Sequence, residues 1–366
     1  MRFGIVDLYC GPSGGKGFYN NQEIGLARAM RNKGYDCYIF YPDLRGKQLK
    51  EELIEEKIIL IKCPAKSIGV HCFYDWRVLL KYGIEVVQVG ADNQIFVPNL
   101  IKFCDKNGIP SYNYIGTIKS DTDKTLKKMI SHFLFYRNLA IYKKHKNFAK
   151  TENVKNDLKA MGVENVEIAP VGLDTAIIPE ITDSINEIRL NNNIPIDKTI
   201  LLFVGRIEKY KKPEDMLKVL NKLSEDYYGI IIGEGFRNNE LEVLIEKMHL
   251  ENKIKWIKKI ANTEIHKYYH AADYYLNFNT HEIFGMSILE AMYQGCNVIA
   301  VKAPGPIMII EDRKSGFLVD NIEEMGKILS SKRKLNDSEI RERIIDNFTW
   351  EKSASIFHNW ICTVIR

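Results

Sequence analysis

The chain has 366 residues, of which 45% are hydrophobic, 11% aromatic and 27% charged. That balance excludes a disordered or low-complexity protein, and the length suits two domains of ordinary size. The formal net charge of +5 is small for a nucleic-acid binder of this size and no docking motif accompanies it, while no apolar run approaches the roughly 20 residues of a membrane-spanning helix.

The N-terminal MRFGIVDLYCG is apolar over too short a stretch for a secretory signal and reads as a first strand, Phe3–Tyr9. Further strands are expected at Tyr35–Tyr41, Val86–Val89 and Ser111–Ile115. Helices are expected at Phe18–Lys33, Tyr74–Lys81, Gln94–Lys106 and Lys124–Lys143. Short apolar strands alternating with amphipathic helices predict parallel, doubly wound α/β sheets.

The turn CGPSGGKG at Cys10–Gly17 matches neither a P-loop nor a dinucleotide fingerprint. A glycine-rich turn between strand and helix nevertheless lets a ligand approach the helix N-terminus, and structural and functional readings stand level there. Between Lys119 and Lys150, nine lysines and arginines stand against two aspartates, interleaved with apolar residues. Such a segment suits an anionic membrane surface, or a core-facing helix with a solvated basic back, the more ordinary case. The seven cysteines form no CxxC pair, which points to reduced, mostly buried thiols of a cytosolic protein rather than a zinc site.

The stretch Pro170–Pro195 has no clean period and reads as an interdomain crossing. Alternation then resumes, with strands at Ile200–Val204, Tyr228–Ile232, Ile254–Ile257, Tyr274–Phe278, Asn297–Val301 and Phe317–Val319. The helices between them are expected at Pro213–Leu223, Asn238–Met248, Glu264–Ala271 and Phe284–Gln294.

Ligands of doubly wound domains sit where strand C-termini meet helix N-termini, so motifs at those junctions matter most. In NTHEIFGMSILEAM, Glu282 follows a strand beside Phe284 and Gly285, and Glu290 lies in the helix that begins there. The free N–H groups of that helix suit a diphosphate, and the two carboxylates can hold separate groups of hydroxyls on one ligand. A random pair of glutamates at this spacing would be solvated surface acids. In LLFVGRIEKYKKP, Arg206 and Lys211 follow a buried strand. They can neutralise a departing diphosphate, or form a solvent-facing basic turn.

In order along the chain come the Gly14-Gly15 loop, PVGLD at Pro170–Asp174, VGR with its following lysine, and GEG at Gly233–Gly235. EIFGMSILEAM, SGFLV at Ser315–Val319 and FTW at Phe348–Trp350 complete the set. Together they resemble the retaining GT-B glycosyltransferases of family 4, glycosyl transferases group 1. The resemblance is strongest from Val204 to Val319 and loose between Pro42 and Thr151. It implies two Rossmann-like doubly wound domains facing across a cleft, 1–175 for the acceptor and 176–349 for a nucleotide-sugar donor. A C-terminal helix of about 350–366 would pack back on the first.

The implied reaction moves a hexose or N-acetylhexosamine, with retention, from a UDP-linked sugar to a hydroxyl of a glycan, lipid-linked or protein acceptor. Domain closure would exclude water, and no metal or other cofactor is implied. Arg206 and Lys211 would bind the donor diphosphate, and the backbone of Met286 and Ser287 would cap it. Glu282, Phe284 and Gly285 would meet the sugar, Glu290 the ribose and Ile260 the base, with Gly15 closing the N-terminal loop. Where many members carry a histidine after a strand like Ser111–Ile115, this chain has Ile115, and the usual histidine-bearing stretch before it is Gly90-Ala-Asp-Asn93. Asp92 and Asn93 thereby become candidates for acceptor contact, Asp92 equally a cap for the helix near Gln94. An epimerase or phosphorylase on the same architecture, and a non-catalytic partner subunit, remain as alternatives. The implied location is cytoplasmic, with peripheral contact at the inner membrane face if the basic segment binds lipid.

Overall fold

A computed structural model describes residues 1–11, 22–118 and 135–365. Two compact units emerge, one of Met1–Asp174 with Trp350–Arg366 and one of Thr175–Thr349.

The described residues of the first unit contain ten strands: Arg2–Val6 (β1), Asp36–Asp43 (β2), Lys50–Glu55 (β3), Ile58–Pro64 (β4), Lys66–Ile68 (β5), His71–Phe73 (β6), Val86–Gly90 (β7), Ser111–Ile115 (β8), Lys146–Ala149 (β9) and Val166–Ile168 (β10). Eight of them form one sheet in the order β10-β9-β8-β7-β1-β2-β4-β3, and β5 and β6 make a separate hairpin. Among the described residues of the eight-stranded sheet only β3 runs antiparallel to its neighbour. Its sequence, KEELIE, is charged and largely exposed, as suits an edge that must not recruit another strand. The central strands β1, β7 and β8 are buried on both faces; β1 and β7 are mainly apolar, whereas β8 also buries Ser111 and Asn113.

Chain order moves from β1 to β2 on one side and later returns to β7 on the other. The switch point, where doubly wound sheets open a crevice, therefore lies between the carboxyl ends of β1 and β7. The helix Trp350–Val364 covers this unit's sheet: Phe357 stacks on Tyr112 at 5.1 Å and the Ser353 hydroxyl donates to Pro170 O at 2.6 Å. Trp350 packs so closely on the helix Gln22–Arg31 that a Cβ on Gly25 would come within 2.5 Å of it.

Of the basic segment, residues 119–134 lie outside the described part. The helix at 135–142 turns Phe135, Leu139, Ile141 and Tyr142 into the core and leaves Tyr136 and Arg137 exposed. Lys146 pairs with Glu167 and Lys150 with Asp92. The described half thus has the core-facing arrangement. Among the described residues no helix is long and apolar enough to cross a membrane. Five of the seven cysteines are buried, Cys10 is half-buried and Cys362 is exposed.

The second unit has six strands, Thr199–Val204 (β11), Tyr227–Ile232 (β12), Ile254–Ile257 (β13), Tyr274–Asn277 (β14), Asn297–Val301 (β15) and Phe317–Val319 (β16). They are ordered β13-β12-β11-β14-β15-β16, all parallel. Here the switch point falls between β11 and β14.

The stretch expected to be a plain crossing holds a helix, Ile185–Asn191, started by a capping box. Glu187 N–H donates to the Ser184 hydroxyl and the Glu187 carboxylate accepts from Ser184 N–H. The helix carries Arg189 inward. Its guanidinium, 7% exposed, donates to Ala271 O at 3.0 and 2.8 Å and to Asp273 at 2.9 Å. Asp273 also accepts from Ile200 N–H at 2.7 Å. Arg189→Met would leave the buried Ala271 carbonyl without its donors, whereas Asp273 keeps Ile200 N–H and the Lys334 ammonium at 2.5 Å, so the stability of this unit should fall by about 1–3 kcal/mol. Urea unfolding followed by tryptophan fluorescence checks this, and an unchanged stability would show that the Ala271 carbonyl finds another donor.

Candidate functional site

At the carboxyl end of β11 the chain runs through Gly205 and Arg206 into the 3-10 turn Lys209–Lys211. Lys212 then takes a left-handed conformation, φ 51°, and Pro213 opens the next helix. The loop after β12 crosses this segment so tightly that a Cβ on Gly233, whose φ is 138°, would lie 2.0 Å from Gly205 O. Only glycine fits there, which accounts for the GEG sequence.

Across the switch point, the loop after β14 carries Glu282. The Lys211 ammonium donates to Glu282 Oε2 at 2.5 Å, with the two side chains only 17% and 13% exposed. The buried Asn279 amide donates to the same oxygen at 3.1 Å, and Glu282 O accepts from Gly305 N–H at 2.9 Å. Two residues 71 positions apart thus meet where the topology reverses. Arg206 is exposed, and its guanidinium and the Lys211 ammonium each lie 5.5 Å from the Tyr210 ring centroid. The ring face gathers the two cations. Sequence reading had passed over Tyr210, although an aromatic inside KYKK is the signal for such a pairing.

The loop ends at Gly285, φ 106°, the N-cap of helix Met286–Tyr293. Ile288 and Leu289 N–H donate back to Gly285 O at 3.0 and 3.2 Å. The Met286 and Ser287 N–H groups stand ahead of that ladder, as donors for an anion. Two fully buried tyrosines fix the side chains of this helix. Tyr275 donates to the Ser287 hydroxyl at 2.7 Å, Tyr269 donates to Glu290 Oε2 at 2.8 Å, and their rings meet edge to face at 5.8 Å. Neither tyrosine was legible as a site residue, because each arrives from a different element. Burial pushes the Glu290 carboxyl up to about 7, against which the Tyr269 hydrogen bond pulls down. Phe284 is buried against Phe348, and Ile260 is half-buried in the loop after β13, at the same end of the sheet.

In the first unit Asp92 does not cap a helix. That helix starts at Val97 behind Phe96, too far along for Asp92 to reach its first turn. Asp92 instead accepts from Gly116 and Thr117 N–H and from the Lys150 ammonium, joining the ends of β7, β8 and β9. Tyr142 donates to Ala91 O at 2.8 Å and the Asn138 amide to Gln94 O at 3.0 Å, so the loop bearing Asp92 and Asn93 is held from below. Asn93 itself is left-handed, φ 52°. Gly15 lies outside the described residues.

The family model of glycosyl transferases group 1 matches residues 184–349. That segment belongs to glycosyl transferases group 1. Among curated relatives, a D-inositol 3-phosphate glycosyltransferase of Corynebacterium urealyticum is 27% identical over 178 residues, 44% of this chain and 42% of that protein. The matched part spans about half the length of the first such relatives or less. Sucrose-phosphate synthase from Thermosynechococcus elongatus has the same architecture, with a TM-score of 0.79 at 14% identity over 99% of this chain and 98% of that one. So does Anabaena Alr3699/HepE in complex with UDP-glucose, with a TM-score of 0.73 at 16% identity over 99% and 100%. The fold is GT-B.

Glu290 binds its proton more tightly in the folded group 1 domain than the ordinary 4.5 allows. Its stabilising contribution is therefore complete at low pH and is lost as pH rises from 4.5 through about 7. Relative to Glu290→Gln, wild type should lose roughly 2–3 kcal/mol between pH 5 and pH 8. Paired urea titrations at the two pH values measure this, and an unchanged difference would mean that Glu290 is solvated.

Proposed function

We propose that the protein is a retaining, metal-independent glycosyltransferase that transfers a hexose or N-acetylhexosamine from a nucleotide sugar, UDP-linked by preference, to a hydroxyl of a glycan or lipid-linked acceptor. One observation carries the reading. Arg206, Lys211 and the N-terminus of helix Met286–Tyr293 all stand at the carboxyl ends of β11 and β14, the switch point of the second sheet. Two cations and two free N–H groups are what a departing diphosphate needs in place of a metal. The two N–H groups would act at full strength because the helix already orients them.

The remaining roles follow from position. Glu282 and the segment Phe284–Gly285 would receive the sugar hydroxyls. Lys211 would pass from Glu282 toward the phosphates as the donor enters, leaving carboxylate oxygens for the sugar. Glu290, held by Tyr269, would accept the ribose hydroxyls, and the Ile260 backbone would meet the base. Met286 and Ser287 would cap the diphosphate, and Asp92 and Asn93 would face the acceptor. Retention would come from front-face attack. The bond from anomeric carbon to diphosphate breaks, the acceptor oxygen bonds on the same face, and its proton leaves with the diphosphate oxygen. The HepE structures contain UDP and UDP-glucose, which supports a UDP-linked donor on this fold.

Purified protein should hydrolyse one member of a nucleotide-sugar panel slowly without acceptor, releasing nucleoside diphosphate. Loss of one aimed donor typically costs about 2.7–4 kcal/mol of barrier, so Arg206→Ala should slow turnover about 10²–10³-fold. Because Arg206 is exposed, the substitution should change stability by only about 0.5 kcal/mol or less. Full activity in Arg206→Ala would refute the phosphate role, and conversion to another nucleotide sugar without release would indicate an epimerase.

A further inference from the structure

The small hairpin of β5 and β6 is fastened to the switch point of the first sheet. Tyr9 pairs with His71 in an antiparallel bridge, Cys72 N–H donates to Leu8 O at 3.0 Å, and Cys10 N–H donates to Val70 O at 2.9 Å. The chain that continues β1 is thereby paired with the hairpin. The same strand, β6, also meets the loop that follows β7. His71 Nδ1 lies 2.9 Å from Gln94 Oε1, and the ring centroids of Phe73 and Phe96 are 4.8 Å apart. Alternate residues of a strand share a face, so His71 and Phe73 stand together, with the buried Cys72 turned the other way. β6 thus joins the ends of β1 and β7, the two strands between which a doubly wound sheet binds its ligand.

The contact with Gln94 fixes the state of the imidazole. The buried Gln94 amide donates from Nε2 to Asp92 O at 3.3 Å, which leaves Oε1 facing His71 as an acceptor. Nδ1 must then carry the proton, and in the neutral ring Nε2 carries the lone pair. Nε2 has no hydrogen-bond partner among the described residues, and His71 is only half-buried. The buried Asn138 amide holds Gln94 in turn, through its 3.0 Å bond to Gln94 O. Beside this acceptor nitrogen, Phe73 is 36% exposed. An aromatic ring next to a hydrogen-bond acceptor matches a pyranose, which offers C–H groups from its faces and hydroxyl protons around its rim.

We infer that His71 and Phe73 form a subsite for the acceptor sugar, in which Phe73 receives one face of the ring and His71 Nε2 accepts from one of its hydroxyls. The inference rests on the glycosyltransferase reading and adds to it two residues of a hairpin that no sequence motif marks. His71 makes a binding contact and takes no proton, in keeping with the departure of the reacting proton on the diphosphate.

Two-bond proton–nitrogen correlation spectra of the full chain, labelled with nitrogen-15 at histidine, test this. His71 is identified by the signal lost in His71→Phe. In the free protein it should show the Nδ1–H tautomer. Titration with methyl glycosides of glucose, galactose and N-acetylglucosamine should move its Nε2 signal with at least one of them. Phe73→Ala and His71→Phe should each weaken that glycoside about fivefold in saturation-transfer titrations. Phe73 is partly exposed, so Phe73→Ala keeps the fold even if His71→Phe, which strands the Gln94 amide, does not; circular dichroism checks both. An Nε2–H tautomer, a His71 signal that no glycoside moves, or binding indifferent to Phe73→Ala would overturn the inference. A parallel thermal-shift titration with UDP-sugars separates the two failures. A donor-induced shift without glycoside binding removes this inference alone, whereas silence in both removes the glycosyltransferase reading with it.

Discussion

The ion pair between Lys211 and Glu282 ties together the two loops that meet where the second sheet reverses its direction of winding. An ion pair this deeply placed adds little stability, because desolvating two charges offsets most of their attraction. Its value lies in position. Lys211 is held at the end of a left-handed kink, and Glu282 is held by Asn279 and by its own carbonyl bond to Gly305. Both charges are therefore oriented before a ligand arrives, and neither is left uncompensated in its absence. The close crossing at Gly233 and the N-cap at Gly285 are the backbone conditions for that convergence.

Around the pair, polarity is graded along one helix. Its first N–H groups and the Ser287 hydroxyl share the first turn, the Glu290 carboxyl stands on the next, and Tyr275 and Tyr269 hold the two side chains. One helix thus offers donors for phosphate and then an acceptor for hydroxyls. The equivalent junction of the first unit is acidic, with Asp7, Glu23 and Asp92 around Lys150.

Much of this was legible before any coordinates. Ile254–Ile257, Asn297–Val301 and Phe317–Val319 have the bounds their apolar runs suggest, because strands packed between helix layers carry the burial signal undiluted. The glutamates, Arg206 and Lys211 stood out for the same reason, as polar residues immediately after such runs. What escaped was set by tertiary contact. The strand Lys50–Glu55 is charged because it is an edge, so it has no strand-like alternation to read. The helix Ile185–Asn191 is short and flanked by polar residues, and its capping box was the only local sign. Asp92 looked like a cap because it precedes a helical stretch. Its partners, Gly116 and Lys150, are 24 and 58 residues away. The tyrosines behind Ser287 and Glu290 are likewise neighbours only in the folded sheet.

The most direct measurement of the central claim is a calorimetric comparison of UDP, GDP and ADP with their monophosphates, on wild type and Lys211→Met. One diphosphate should bind wild type well above its monophosphate, since the second phosphate is the group that Arg206, Lys211 and the helix N-terminus would hold. That preference should collapse in Lys211→Met, while the monophosphate binds much as before. Equal affinity for diphosphate and monophosphate, or a preference untouched by Lys211→Met, would contradict a diphosphate site at the β11/β14 junction.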